Sequence, residues 1–267
     1  MTGLTQLDDV VYVSSQRSSA ILRFSVVTWQ RLTDVVINGL DAASDIAACE
    51  GSSQLYVSDK DCIWRVSADG SDKRLWLPKS PDNTFKPCKL SVTATRLLVT
   101  AYGNHLIQFD VRGQELRRVQ LPELPDVMKH SEYYRNAVES PTGTFITSRH
   151  HTQLNQFQVI EVNTGGEVLR QFSGSHLTSL HNKCPCVAVD SHGYVLVPDV
   201  LNNRILLLDA RLSLRRIIIE AYDSKKNSGQ EIHHLNFPPD MLCYREPSGQ
   251  LVVGADMEIK VFDVLRR

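Results

Sequence analysis

The sequence predicts an all-β protein, a six-bladed β-propeller of four-stranded antiparallel blades. Three observations support this: a strand-length apolar run recurs six times in the 267 residues, a second run follows each copy closely, and turn residues separate the two. The period of roughly 40 to 55 residues is typical of radial repetition. The first run reads Val-Tyr-Val-Ser (11–14), Leu-Tyr-Val-Ser-Asp (55–59), Leu-Leu-Val-Thr (97–100), Phe-Ile-Thr-Ser (145–148), Val-Leu-Val-Pro-Asp (195–199) and Leu-Val-Val-Gly (251–254).

The second run gives each blade its third strand, and flanking runs supply the first and the fourth. A shorter apolar run precedes each pair, as in Ser-Asp-Ile-Ala-Ala-Cys (44–49), and another follows it, as in Arg-Leu-Trp-Leu-Pro (74–78). Each blade therefore has four strands in the order inner to outer. The second run reads Ala-Ile-Leu-Arg-Phe-Ser (20–25), Cys-Ile-Trp-Arg-Val-Ser (62–67), His-Leu-Ile-Gln-Phe-Asp (105–110), Gln-Phe-Gln-Val-Ile-Glu (156–161), Arg-Ile-Leu-Leu-Leu-Asp (204–209) and Glu-Ile-Lys-Val-Phe-Asp (258–263).

The repeat also sets the expected blade limits within a single domain of residues 1–267. The last copy ends soon after its third strand, and neither terminus offers a spare strand. We expect a three-stranded last blade or closure by packing alone; the alternative is that an upstream segment of a longer chain covers the open edge. The blades are expected at about 3–39, 40–82, 84–123, 133–177, 181–229 and 234–267.

Composition and charge indicate where the protein is expected to be located and which partners it is expected to bind. The apolar runs are of strand length, the first residues lack the pattern of a secretion signal, and the six cysteines do not cluster. We therefore expect a reduced, cytoplasmic protein with no membrane segment. The 29 basic and 30 acidic residues argue against binding nucleic acid through phosphate neutralisation alone.

One blade carries a specific motif. Residues 187–199, Val-Ala-Val-Asp-Ser-His-Gly-Tyr-Val-Leu-Val-Pro-Asp, followed by Asn202-Asn203-Arg204, resemble an NHL repeat, and the other blades keep mainly its hydrophobic skeleton. The chain is thus similar to the NHL-like or TolB-like six-bladed propellers. That group includes the substrate- and RNA-binding domains of tripartite-motif proteins and the lyase domain of peptide-amidating enzymes. The resemblance implies the fold much more firmly than an activity.

Some motif residues have a structural interpretation. Short polar side chains at Asp199, Asn202 and Asn203 are expected to satisfy exposed backbone groups of a turn, and Arg204 is expected to reach a carboxylate of a neighbouring blade. The three tryptophans, Trp29, Trp64 and Trp76, are expected to pack between blades.

The loops between second and third strands (the 2–3 loops) and the connections between blades form the predicted binding face. Two long connections, 121–136 and 221–238, carry Tyr, Met, Arg and His, which suit partner contact. The predicted partner-binding residues are Tyr102, His105, Tyr133, Tyr134, Arg149, His150, His151, Asn202, Arg204 and His233.

A metal site is the alternative use of polar residues near the axis. The repeat places Asp45, Asn136 and Asp240 at equivalent starts of inner strands, an arrangement similar to calcium-dependent six-bladed hydrolases. Lys89 occupies the same position in blade 3, and its ammonium is an alternative counter-ion. The histidines at 150, 151, 181, 233 and 234 are a second candidate set, for Zn or Cu.

The sequence contains neither a Gly-x-Ser-x-Gly elbow nor a Gly-rich phosphate loop. We therefore predict a non-catalytic, monomeric binding module for a protein or peptide, with no cofactor. A Ca- or Zn-dependent hydrolase or lyase is the first alternative, and an RNA-binding domain is the second.

Overall fold

The described residues confirm the predicted fold class: an all-β, six-bladed propeller whose last blade has three strands. The computed structural model describes residues 1–16, 18–79, 85–93, 95–102, 104–122, 134–151, 156–173, 186–221, 234–235, 238–239, 241–245, 249–255 and 258–263. Two compact units divide the chain, Met1–Leu121 and Pro122–Arg267. The prediction of one domain stays a prediction.

The first unit contains blades 1 to 3, each an antiparallel sheet with its strands in sequence order. One short 3-10 helix, Glu50–Ser52, follows the inner strand of blade 2. The strands are β1 Gly3–Leu7, β2 Val10–Ser14, β3 Ala20–Ser25 and β4 Arg31–Val36; β5 Asp45–Cys49, β6 Gln54–Ser58, β7 Ile63–Ser67 and β8 Lys73–Leu77; β9 Pro87–Val92, β10 Arg96–Ala101, β11 His105–Asp110 and β12 Glu115–Gln120.

The second unit contains blades 4 to 6. Blade 5 has a fifth, two-residue strand, which pairs in parallel with the outer strand of that blade. Blade 6 has three strands in the described part of the chain. The strands are β13 Tyr134–Glu139, β14 Phe145–His151, β15 Gln156–Val162 and β16 Val168–Phe172; β17 Ala188–Val189, β18 Val195–Asp199, β19 Arg204–Leu208, β20 Leu214–Ala221 and β21 His234–Leu235; β22 Met241–Arg245, β23 Gln250–Ala255 and β24 Glu258–Asp263.

Within each unit, the hydrophobic core lies between successive sheets. In β6, Leu55 and Val57 belong to the cluster shared with blade 1, whereas Tyr56 belongs to the cluster shared with blade 3. The side chains alternate because successive residues of a strand point to opposite faces of the sheet. Both faces are buried, which explains why the second strands read as continuous apolar runs.

Two of the three tryptophans pack as predicted. Trp64 packs on the cluster between blades 1 and 2. Trp76 makes an edge contact with Tyr56, with ring centroids 4.9 Å apart, and its Nε1 donates to the Val111 carbonyl at 3.1 Å. The prediction for Trp29 is wrong, because its side chain is 55% exposed.

Candidate binding face on the 2–3 loops

A buried carboxylate fixes the 2–3 loop of blade 2. The Asp59 Oδ1 accepts hydrogen bonds from the backbone N–H groups of Ala42, at 2.7 Å, and Lys60, at 2.8 Å, and its Oδ2 accepts one from Asp41 at 3.0 Å. One side chain therefore joins this loop to the connection that enters the blade. Lys60 is exposed at the tip, and beside it Asp61 pairs with Lys79 at 2.7 Å.

The same position in blade 5 holds Asp199, which is fully buried. Its carboxylate accepts hydrogen bonds from the Asn202 amide, at 2.9 and 3.0 Å, and from Arg204 Nε at 2.6 Å. Arg204 was predicted to reach a carboxylate of a neighbouring blade, but it binds a carboxylate of its own blade. Asp199 and Arg204 face each other across β18 and β19 of one hairpin. Asn202 and Arg204 thus stiffen the loop, and Leu201 at its tip is 44% exposed.

Blade 3 places two of the predicted residues around its loop. Tyr102 is 49% exposed, and its backbone N–H donates to the Lys86 carbonyl at 3.1 Å, which ties the loop to the incoming connection. His105, the first residue of β11, is half-buried. Its Nδ1 is buried and has no hydrogen-bond partner in the described part of the chain. Burial, and then the charge of Arg118, lower the pKa of His105, which favours the neutral ring.

Blade 4 holds three more predicted residues on its strands. Arg149 lies on β14 opposite Tyr134 on β13. Its Nε donates to the Gln158 side chain at 2.9 Å, and its Nη2 to that of Gln171 at 3.5 Å, so the guanidinium spans three strands. His150 and His151 end β14; the side chains of these two residues and of Tyr134 are not described. Tyr133 and His233 lie outside the described residues.

Two of the three predicted metal ligands make matching contacts to backbone. The Asp45 Oδ2 accepts a hydrogen bond from the Leu90 N–H at 2.9 Å, and the Asn136 Oδ1 accepts one from the Val187 N–H at 3.0 Å. Each therefore joins the inner strand of its blade to the start of the next blade. Asp240 lies outside the described residues. Within the described ranges, no group of three or more His, Cys, Asp or Glu is placed to hold a metal ion.

Lys89 acts as the internal counter-ion that the sequence offered as an alternative. Its Nζ donates to the carbonyls of Thr2, at 2.5 Å, and Ser44, at 3.3 Å, and lies 3.5 Å from the Asp45 Oδ1. Burial raises the pKa of Asp45, and the charge of Lys89 opposes that rise. The ammonium of blade 3 thus stabilises oxygens that blades 1 and 2 present to one point.

The cysteine on these loops is not activated. Cys62 is buried next to the 2–3 loop of blade 2. Burial, with smaller contributions from Asp59 and Asp61, raises the pKa of its thiol to about 11. The thiol therefore stays protonated at neutral pH, whereas a nucleophilic cysteine needs a lowered pKa.

Sequence reasoning missed Leu201 as a surface residue of the site. Asp199, Asn202 and Asn203 mark the turn in the sequence, but the motif assigns no role to the leucine between them. The sequence does not distinguish the two apolar residues of this turn: Val200 is 2% exposed, whereas Leu201 at the tip of the loop is 44% exposed.

The comparisons with known proteins support the propeller fold, and none of them shows a family for this chain. No protein-family model matches this chain, and no curated protein sequence is significantly similar to it. Among solved structures, the chain is similar to hydrazine synthase from Kuenenia stuttgartiensis (TM-score 0.63, 13% identity, covering 98% of this chain and 94% of that one). It is also similar to the Cps50 (Swd1) β-propeller domain of Myceliophteria thermophila (TM-score 0.62, 13% identity, covering 99% of this chain and 83% of that one). A third similar structure is a chain of a nidogen/laminin complex (TM-score 0.59, 15% identity, covering 81% of this chain and 78% of that one).

No helix among the described residues is long and apolar enough to span a membrane.

Proposed function

We propose that the protein is a non-catalytic module that binds a protein or peptide through its 2–3 loops. One observation carries the proposal: in each unit, loops held by backbone or buried polar contacts present exposed side chains. Tyr102 in the first unit and Leu201 in the second are 49% and 44% exposed, while Asp59 and Asp199 are buried beneath loops of the same kind. Variable tips on a fixed scaffold are a common design of binding proteins.

The chemistry of the tips suits a protein partner. Tyr is enriched in protein interfaces, because it offers a large apolar surface and a polar end at a low cost in side-chain entropy. Lys60 and Asn202 add exposed polar groups around the apolar tips. Stiff loops also lose little conformational freedom on binding, which favours affinity.

The contacts of the predicted ligands favour this function over a metal-dependent enzyme. The Asp45 carboxylate binds Leu90 and Lys89, and the Asn136 oxygen binds Val187. Coordination of a cation through these oxygens would compete with bonds that join neighbouring blades. The fold does not decide the matter, since it is shared with hydrazine synthase as well as with a chain of a complex between proteins.

The test is affinity capture with three immobilised proteins: the native chain, a Tyr102→Ala/Leu201→Ser variant and a Leu116→Ala control. Leu116 is equally exposed, but it lies on the outer strand β12, away from the 2–3 loops. Loss of specific partners from the double variant and their retention by the control support the proposal. Equal capture by all three proteins refutes the assigned face.

The enzyme alternative has its own assay. Purified protein is analysed for bound metal by mass spectrometry, before and after EDTA, and then screened for hydrolysis of lactones and esters. Stoichiometric calcium or zinc, with turnover lost on chelation, would replace the binding function by a hydrolase. The cytoplasmic location stays a prediction.

A further inference from the structure

The turn between the third and fourth strands (the 3–4 turn) of blade 1 has an unusual residue at its closing position. In blades 1 to 5 this position has a positive φ, and its N–H donates back to the carbonyl of the turn's first residue at 2.8 to 3.1 Å. Only glycine adopts this conformation without steric cost. The five residues are Trp29, Gly70, Gly113, Gly166 and Leu212.

Packing in the core explains the positive φ of Leu212, but it does not explain that of Trp29. Leu212 is 3% exposed and belongs to the core between blades 4 and 5. Trp29, with φ 57°, is 55% exposed, and Val27 in the same turn is 70% exposed. A strained conformation that no core contact explains is a feature of functional sites, and tryptophan is the residue most enriched among the energetic centres of interfaces.

The turn is held in place and has an acidic neighbour. The Ser25 hydroxyl accepts hydrogen bonds from the N–H groups of Val27 and Thr28, at 3.3 and 3.2 Å. The Val26 N–H donates to the Asp9 carbonyl at 2.9 Å, which places the exposed residues Asp8 and Asp9 beside the turn. The indole is therefore presented on a fixed support next to two carboxylates.

A recess in blade 5 has complementary properties. It has a volume of about 340 Å³ and is lined by His192, Tyr194, Asp209, Ala210 and Arg211. Tyr194 and Ala210 offer apolar surface, and the side chains of His192 and Arg211 are exposed. Asp209 lies 3.4 Å from Arg215, and His192 Nδ1 lies 4.0 Å from the Asp190 carboxylate. The recess thus combines an apolar wall with the exposed guanidinium of Arg211.

We propose that the Trp29 turn of one molecule docks into this recess on a second copy of the chain. The indole and Val27 cover Tyr194 and Ala210, and Asp9 faces Arg211. The two surfaces differ, so the contact is head-to-tail and leaves a free turn and a free recess at the ends of the assembly. This surface is separate from the 2–3 loops, which lie at the opposite end of each blade.

The contact is small, so the association is weak, with a dissociation constant on the order of 0.1 mM. The test is sedimentation velocity of the full chain from about 5 μM to about 0.5 mM at low salt. The native protein is expected to show a rising sedimentation coefficient. Trp29→Gly is expected to weaken association at least about tenfold, and Leu116→Ala serves as a control that removes an equally exposed apolar side chain.

A charge exchange tests the pairing itself. Arg211→Glu is expected to weaken association, and adding Asp9→Lys in the same chain is expected to restore part of it, because the opposite charges face each other again. Trp29→Gly keeps the favoured residue type for its φ, so a change in folding does not confuse the result.

Three results overturn the proposal: a native protein that stays monomeric at the highest concentration, association that neither Trp29→Gly nor Arg211→Glu changes, or binding to phosphatidylcholine vesicles that depends on Trp29 but not on Arg211. The last result would assign the turn to a lipid surface.

Discussion

Replacement of Lys89 by methionine tests the internal counter-ion directly. The change keeps most of the length of the side chain but removes the ammonium from Asp45 and from the carbonyls of Thr2 and Ser44. Both side chains of the ion pair are nearly buried, at 12% and 10% exposed. Removing one partner of a buried pair costs about 3–5 kcal/mol, because it leaves an uncompensated charge.

The carbonyls of Thr2 and Ser44 also lose a donor, but water reaches an opened site and limits that loss. We therefore expect Lys89→Met to lower the free energy of unfolding by about 4 kcal/mol. For a chain of this size, that corresponds to a fall in Tm of about 10 °C. The assays are thermal unfolding followed by circular dichroism and urea unfolding.

Asp45→Asn in the Lys89→Met background is the control, because it removes the unpaired charge and retains an oxygen for the Leu90 N–H. We expect the double variant to recover about 1–2 kcal/mol of the loss. The reasoning is refuted if Lys89→Met unfolds like the native protein, or if Ca²⁺ raises and EDTA lowers the Tm of the native protein. The second outcome would mean that a metal ion, not the ammonium, balances Asp45.

Three further predictions concern single residues. Gly3→Ala is expected to destabilise the first unit by more than about 2 kcal/mol, because an added Cβ would lie 2.5 Å from the Ile46 nitrogen; a native urea midpoint would contradict the close approach. Asp199→Ala is expected to lower the free energy of unfolding by about 2 kcal/mol, since Arg204 and Asn202 lose their acceptor. Asp199→Asn should lower it by less in urea unfolding, and equal losses would show that the charge of Asp199 does not contribute to stability. The pKa of His105 is lowered below its ordinary 6.5, so the unfolded chain binds the proton more tightly and stability should fall as pH drops through about 6.5; His105→Gln should flatten this part of the curve of unfolding free energy against pH, and an unchanged slope would refute the assignment.

The strand pattern could be predicted from sequence because short apolar runs bounded by turn residues are a local signal, repeated in every blade. Leu55, Tyr56 and Val57 are all apolar, and the structure shows why: odd and even residues face different neighbouring blades. The equivalence of Asp45 and Asn136 could also be predicted, because the repeat aligns the starts of the inner strands.

The roles of polar residues depend on distances that the sequence does not contain. Arg204 was expected to reach a neighbouring blade, but the register of its hairpin places Asp199 directly opposite it. Trp29 was expected to pack because it follows a strand-edge pattern, but it lies in the 3–4 turn with 55% of its surface exposed. In both cases the missing information was the geometry of a turn.

The division of β6 between two interfaces links the blades mechanically. Loss of contacts at Val57 weakens the hydrophobic interface with blade 1, and loss of contacts at the adjacent Tyr56 weakens the interface with blade 3. Blade 2 therefore cannot melt by itself without exposing apolar surface on both of its neighbours. We therefore expect Met1–Leu121 to unfold as one cooperative segment, in which a destabilising substitution in one blade also lowers the stability of the blades packed on it.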